Sequence, residues 1–201
     1  MQPKLLLATN NQAKVQEYKS LLSDLPCKLV TLVELGIKIA VDEVGESLEE
    51  NARLKATVSA DRSQLPTLAD DSGLEVDALG GEPGRLLARY AGDNASDKER
   101  IDYLLSRLKG VPGEKRTARF RCVIALATPD GKVGFCSGEC EGLVTFAPRG
   151  KHGFGYDPIF YLPEFDKTMA ELSLAQKNQV SHRGKAARQV YQALKKLGRQ
   201  K

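Results

Sequence analysis

With 201 residues the chain has material for one generous domain, or two intimate lobes, around a sizeable core, and 41% hydrophobic with 28% charged residues is the make-up of a globular protein rather than a fibrous or disordered one. Thirty Lys and Arg stand against 26 Asp and Glu, a formal charge of +4; the basic residues are dispersed, which argues against a nucleic-acid-binding tail and leaves room for a small polyanionic ligand. No stretch approaches the roughly 20 apolar residues of a membrane span, and the apolar run near Met1 is too short for a signal peptide. Cys27, Cys122, Cys136 and Cys140 show no CxxC pairing, and only His152 and His182 stand beside them. A zinc centre is therefore disfavoured, and free thiols in a reducing cytoplasm are expected.

Lys4 to Thr9 reads as a strand, Asn10-Asn11 as a turn, and Gln12 to Ser23 as a helix with Val15, Tyr18 and Leu22 on one face. Cys27 to Leu32 is a second strand. Ser47-Leu48-Glu49-Glu50 forms a capping box that starts a helix through Asn51, Lys55 and Val58. Thr67 to Ala69 and Leu74 to Leu79 are expected as two short strands flanking a turn at Asp70-Asp71-Ser72-Gly73. Gly80 to Gly84 is irregular. Asp97 to Lys109 is a helix with Ile101, Leu104, Leu105 and Leu108 at helical spacing. Thr117 to Thr128 alternates, with Ala118, Phe120, Cys122 and Ile124 on one face, and Pro129-Asp130-Gly131 returns the chain as a β-hairpin. A Gly- and Pro-rich loop from Pro148 to Pro158 leads into Ile159-Phe160-Tyr161. Thr168-Met169-Ala170-Glu171 is a second capping box, and a final amphipathic helix carries Ala187, Val190, Tyr191, Leu194 and Leu197. No linker divides the chain, so one domain over residues 1–201 is expected: an α/β fold with a mixed sheet flanked by helices.

Chemistry concentrates at six places. Asp70 and Asp71 follow an apolar run; on extended backbone they point opposite ways, so one is suited to bind Mg²⁺ or orient water while the other secures the turn. The same residues also suit a plain Asx-turn. Thr9-Asn10-Asn11-Gln12-Ala13-Lys14 joins the first strand to the first helix, where a helix N-terminus and a lysine attract phosphate, although the glycines of a Walker loop are lacking. An Asn-rich helix cap with a solvated lysine is the plainer alternative. The acidic stretch Asp42-Glu43-Val44-Gly45-Glu46 offers Glu43 as a partner of Asp71 for a hard cation, or is a solvated loop. Asn51 and Lys55 share a helix face. Phe154-Gly155-Tyr156-Asp157 sets two aromatics and an acid in a glycine-thinned loop, fit to stack on a base or to plug the core. Finally, Lys177 and Ser181-His182-Arg183 lie between the last two helical segments with donors for a base carbonyl.

Taken in order, TNNQAK (Thr9–Lys14), EVGESLEENARLKA (Glu43–Ala56), LADDSGLEVDALGGEPG (Leu68–Gly84), ARYAG (Ala88–Gly92), GFGYDPIF (Gly153–Phe160) and KNQVSHRGKA (Lys177–Ala186) make the chain resemble the inosine triphosphate pyrophosphatase family over nearly its whole length. The resemblance implies an elongated mixed α/β fold of two lobes with an active-site cleft between them, usually as a homodimer. It implies Mg²⁺-dependent hydrolysis of non-standard purine nucleoside triphosphates (ITP, dITP, XTP) to the monophosphate and pyrophosphate, which keeps them out of DNA and RNA. By that likeness Thr9, Asn10, Asn11, Gln12, Ala13, Lys14 and Lys55 would grip phosphates. Glu43 and Asp71 would hold the metal, one ion or more per subunit, with Asp71 also activating water. Ser72 would touch the substrate, Phe154 would stack on the base with Gly155, Tyr156 and Asp157 completing the wall, and Lys177, Ser181, His182 and Arg183 would read the 6-keto purine. Asn10 stands where the family often has glycine, and Arg85-Leu86-Leu87 replaces a Tyr-Ser-type sequence. A nucleotide sensor without hydrolysis and a Maf-type pyrophosphatase acting on pyrimidine or dTTP-like substrates are the alternatives. Paired carboxylates, which repel phosphate unless a metal intervenes, weigh against the first, and the Ser181-His182-Arg183 segment against the second.

Overall fold

Leu5, Leu6 and Leu7 in succession leave no polar face, and strand β1 (Lys4–Leu7) is buried on both sides as an interior parallel strand must be. It runs parallel to β2 (Lys28–Thr31), Leu6 opposite Val30, and parallel to β3 (Thr67–Val76), Leu6 opposite Thr67. The computed structural model describes residues 2–39, 41 and 43–198; Met1, Asp42 and the side chain of Leu197, which figure in the expectations above, lie outside that set.

Helix α1 (Gln12–Leu21) connects β1 to β2, and Asn11 caps it by accepting the Lys14 N–H at 3.1 Å. Val15, Tyr18 and Leu22 are buried as their spacing requires. Helix α2 (Leu48–Ser63) buries Ala52, Ala56 and Ala60, a stripe of small side chains that packs with Ala8, Ala69, Val123 and Ala125. Ser47 accepts the Glu50 N–H at 3.1 Å, but the Glu50 carboxylate takes the N–H of Glu46 at 2.7 Å, so the capping box is completed one residue upstream of its expected place.

The expected turn at Asp70-Asp71-Ser72-Gly73 is a correction. β3 runs unbroken through it, and the strand expected to reach Leu79 ends at Val76 in a 3₁₀ turn at Asp77–Leu79. Asp70 and Asp71 find partners on other elements instead of turning back on their own backbone, which is how tertiary contacts override turn preference. Gly73 admits the two-residue strand β4 (Pro83–Gly84): a Cβ there would stand 3.1 Å from the Gly84 carbonyl oxygen.

Helix α3 (Asp97–Arg107) ends before the expected Lys109 and starts from a capping box between Ser96 and Glu99. Strands β5 (Thr117–Ala127) and β6 (Val133–Val144) form the expected hairpin, with Gly131 at φ 87° in the turn. β7 (Phe160–Leu162) and β8 (Lys167–Thr168) follow. The Thr168–Glu171 capping box is present but closes only a 3₁₀ turn; a further box at Ser173 and Gln176 starts α4 (Leu174–Val180), which contains Lys177 rather than preceding it. Helix α5 (His182–Gly198) completes five α-helices among the described residues.

The sheet is mixed and eight-stranded, in the order β2-β1-β3-β5-β6-β7-β8 with β4 beside β3. The chain forms two compact units: Met1–Asp71, Cys122–Gly138 and Arg183–Lys201 make the first, Ser72–Arg121 and Glu139–His182 the second. The core of the first includes Leu7, Tyr18, Leu68, Cys122, Ile124 and Val190; that of the second includes Leu74, Leu104, Phe120, Tyr156, Phe160 and Met169. Among the described residues no helix is long and apolar enough to cross a membrane.

Candidate functional site

In the first unit, three candidate residues from separate segments meet at one atom. The Lys55 ammonium on α2 contacts Glu43 Oε1 at 2.9 Å and Asp71 Oδ1 at 2.7 Å. One helical turn before Lys55, Asn51 donates from Nδ2 to Asp71 Oδ2 at 3.3 Å and accepts the Gly45 N–H on Oδ1 at 2.8 Å. Asn51 thus ties the acidic loop to β3. Gly45 is needed for this approach, because a Cβ there would lie 2.7 Å from Asn51 Oδ1. Burial raises the Asp71 carboxyl above its ordinary value, with Glu43 adding to the rise and Lys55 opposing it. Burial works against the Lys55 charge, but Asp71, Asp70 and Glu43 overrule it and lift its pKa.

Those two carboxylates are hard oxygen donors closing on one positive charge, and the ammonium stands where a cation is favoured. The donor type and convergence fit Mg²⁺, which takes few protein carboxylates and keeps waters. Among the described residues no group of three or more His, Cys, Asp or Glu gathers as a larger metal cage.

Asp70 faces the other side of β3, and its side chain is fully buried. Its Oδ2 takes the Lys14 ammonium at 3.0 Å and Arg183 Nε at 3.4 Å, while Arg183 Nη1 reaches Glu17 Oε2 on α1 at 2.6 Å. Burial alone would raise the Asp70 pKa; Lys14, Arg183 and Lys55 overrule it and hold the carboxyl far below the usual range. Burial likewise opposes the Arg183 charge, yet Glu17 and Asp70 push its pKa higher still. Lys14 is therefore not a solvated lysine. In the β1–α1 corner, Thr9 Oγ1 accepts the Asn11 N–H at 3.2 Å, Asn10 Nδ2 donates to the Ile39 carbonyl at 3.2 Å, and Gln12 and Ala13 form the first turn of α1. The Asn cap expected as the plainer alternative is present, at the same helix N-terminus that favours anions.

The second unit holds the remaining candidates. Asp157 is buried; its Oδ2 accepts the Phe154 N–H at 2.8 Å and pairs with the Lys177 ammonium, which sits 4.9 Å from the centre of the Phe154 ring. Gly155 donates its N–H to Asp97 Oδ2 at 2.7 Å. The two aromatics of this loop divide the two readings: Tyr156 is core, 2% exposed with its hydroxyl on the Leu87 carbonyl at 3.0 Å, whereas Phe154 is half-buried. Ser72 and Ser181 are buried, and the His182 imidazole stacks on Phe120 with centroids 4.6 Å apart and planes 13° from parallel.

Glu17, Asn51 as a link to Asp71, and Asp97 escaped the sequence reading as partners of the site. Glu17 left one trace, an acid three residues after Lys14 and next to buried Tyr18 on α1. Asp97 left none, because its partner lies in a distant loop.

A family model, that of the Ham1 family, matches residues 5–193. The chain is 51% identical over 183 residues to the dITP/XTP pyrophosphatase of Geobacter sulfurreducens, covering 91% of this chain and 92% of that protein. It is 50% identical over 192 residues to the dITP/XTP pyrophosphatase of Thermus thermophilus, covering 96% and 92%. Among solved structures, a HAM1 protein from Coxiella burnetii superposes with a TM-score of 0.87 at 42% identity, covering 96% of this chain and 99% of that one. With the fold, the motif order and the sequence all in agreement, the chain belongs to the Ham1 family.

Proposed function

We propose that this protein hydrolyses non-standard purine nucleoside triphosphates (ITP, dITP and XTP) to the monophosphate and pyrophosphate, with Mg²⁺ held by Glu43 and Asp71. The carrying observation is that these carboxylates, from two separate segments, close on a single cationic atom, Lys55 Nζ. The relatives named dITP/XTP pyrophosphatase support the substrate class. Work on such a substrate belongs in the cytoplasm, by one domain acting in a homodimer.

Phosphate handling falls to Thr9, Asn10, Asn11, Gln12, Ala13, Lys14 and Lys55. The N-terminal turn of α1 offers N–H groups and a positive dipole end, and the two lysines offset the charge of the leaving pyrophosphate. When bound, Mg²⁺ supplies Lewis-acid polarisation and more charge compensation. Asp71 orients the attacking water and takes its proton. Asn51 fixes the rotamer of that carboxylate from Oδ2. Base handling falls to Phe154 by stacking, to Ser72, Gly155, Tyr156 and Asp157 around it, and to Lys177, Ser181, His182 and Arg183 as donors for the 6-keto group. Adenine, with an amine there, would offer those donors no acceptor, which disfavours it against a 6-keto purine.

Pyrophosphate release from ITP, dITP, XTP, dTTP, UTP and dATP tests this reading. The purine triphosphates with a keto group are expected to turn over in Mg²⁺ and to stop in chelator. Asp71→Asn is expected to lower kcat on ITP by about 10²–10⁴ while the thermal midpoint holds. Hydrolysis of dTTP above ITP, or an active Asp71→Asn enzyme, refutes it.

A further inference from the structure

Phe154 lies in a loop, so no ladder of backbone hydrogen bonds fixes its orientation. Glycines flank it on both sides, and Gly153 and Gly155 both have positive φ, 75° and 60°. Such a segment is conformationally loose unless something outside it sets its dihedrals. Two carboxylates do so. Asp157 holds the peptide N–H entering Phe154 at 2.8 Å, and Asp97 holds the N–H leaving it, that of Gly155, at 2.7 Å. One of these carboxylates belongs to the loop. The other comes from the first turn of α3.

Asp97 is itself braced. Its Oδ1 takes Arg100 Nη2 at 2.6 Å, and Arg100 Nη1 donates to the Ala88 carbonyl at 2.6 Å. The neighbouring Leu87 carbonyl accepts the Tyr156 hydroxyl at 3.0 Å. The contacts form a closed circuit, Gly155 to Asp97 to Arg100 to Ala88, through Leu87 to Tyr156, and back to Gly155 along the chain. None of this is required by the helix. The α3 cap is the Ser96–Glu99 box, and the Asp97 side chain is 47% exposed.

We propose that Asp97 is a positioning residue for purine recognition: it fixes the peptide after Phe154 and so the plane in which that ring meets the base. The proposal rests on the reading of Phe154 as the stacking residue. Asp97 touches no substrate. It acts by sparing the loop the ordering cost that binding would otherwise exact.

Steady-state kinetics on ITP and XTP test it. Asp97→Ala is expected to raise KM about tenfold, the equivalent of one charge-assisted hydrogen bond, with kcat within about twofold. Asp97→Asn, which keeps an acceptor oxygen for the Gly155 N–H, is expected to recover at least half of that loss on a logarithmic scale. Glu99→Ala serves as the helix control: it weakens the α3 cap and lowers the thermal midpoint but leaves KM unchanged. In a Phe154→Ala background, Asp97→Ala is expected to raise KM no further. The inference is overturned if Asp97→Ala leaves KM unchanged, if Glu99→Ala raises it equally, or if the effects of Asp97→Ala and Phe154→Ala simply multiply. Phe154→Ala with unchanged KM overturns the stacking reading itself; Phe154→Ala with raised KM beside an inert Asp97→Ala overturns the positioning role alone.

Discussion

Asp70 and Asp71 are neighbours in β3 and do unlike work because a strand sends successive side chains to opposite faces. Asp71 meets Lys55 and Asn51 of α2, and burial raises its carboxyl above the ordinary value. Asp70 meets Lys14 and Arg183 and serves charge balance. A buried ion cluster adds little over a well-packed apolar one, yet removing one member strands the others, at a cost of about 3–5 kcal/mol. Asp70→Asn is therefore expected to lose about that much stability at pH 7, by urea denaturation. The pH dependence follows from the direction of the shift. The folded carboxyl titrates far below the unfolded one, whose pKa is about 3.9. Its contribution is whole above about pH 4 and drains away as acid protonates first the unfolded and then the folded chain. The gap between wild type and Asp70→Asn is expected to narrow steadily below pH 4. A gap that stays constant to pH 2 contradicts the ion-cluster account.

Elements whose periodicity is local were open to reading from the sequence alone. Val15, Tyr18 and Leu22 marked α1, and Pro129-Asp130-Gly131 marked the β5–β6 hairpin, since both signals depend on near neighbours. β3 was not open in this way. Asp, Ser and Gly favour turns locally, and only partners from α1, α2 and α5 make extended backbone the better choice. The candidate site divides along the same line: Glu43, Lys55, Asp71 and the Gly153–Asp157 loop carry motif signals, whereas Glu17 leaves only a faint local trace and Asp97 becomes visible only through residues far along the chain. The loop offers its own test. At Gly153 an added Cβ would overlap Asp157 Oδ2, and φ is already in the left-handed region; at Gly131 φ is 87° but nothing lies within 4 Å. Gly131→Ala is expected to cost about 1 kcal/mol of backbone strain and leave KM for ITP untouched. Gly153→Ala is expected to cost about 1–3 kcal/mol more and to raise KM as Asp157 is displaced from the Phe154 N–H. Equal effects in the two variants would show that the Asp157 contact does not shape the loop.

At the scale of the molecule, the first unit is assembled from three separate stretches, the last of which is nearly all of α5. Ala186, Ala187 and Val190 are buried with Leu5, Leu7, Tyr18 and Ile124, and Arg183 supplies the cation that Glu17 and Asp70 share. A unit built this way is complete only after the C-terminal helix has joined strands that precede it by most of the sequence, a high-contact-order arrangement. Single substitutions should therefore weaken it, and loss of the helix should abolish it. Val190→Ala is expected to lower stability by about 1–3 kcal/mol, two methyl groups plus the cavity they leave, with a single sharp unfolding transition retained. A chain ending at His182 forfeits that burial at several positions at once and leaves Glu17 and Asp70 without their guanidinium. That chain is expected to show no cooperative thermal transition and rapid amide exchange throughout β1, α1 and β2. A sharp transition within a few degrees of the full chain, with β1 amides still protected, would mean that the core of the first unit closes without α5.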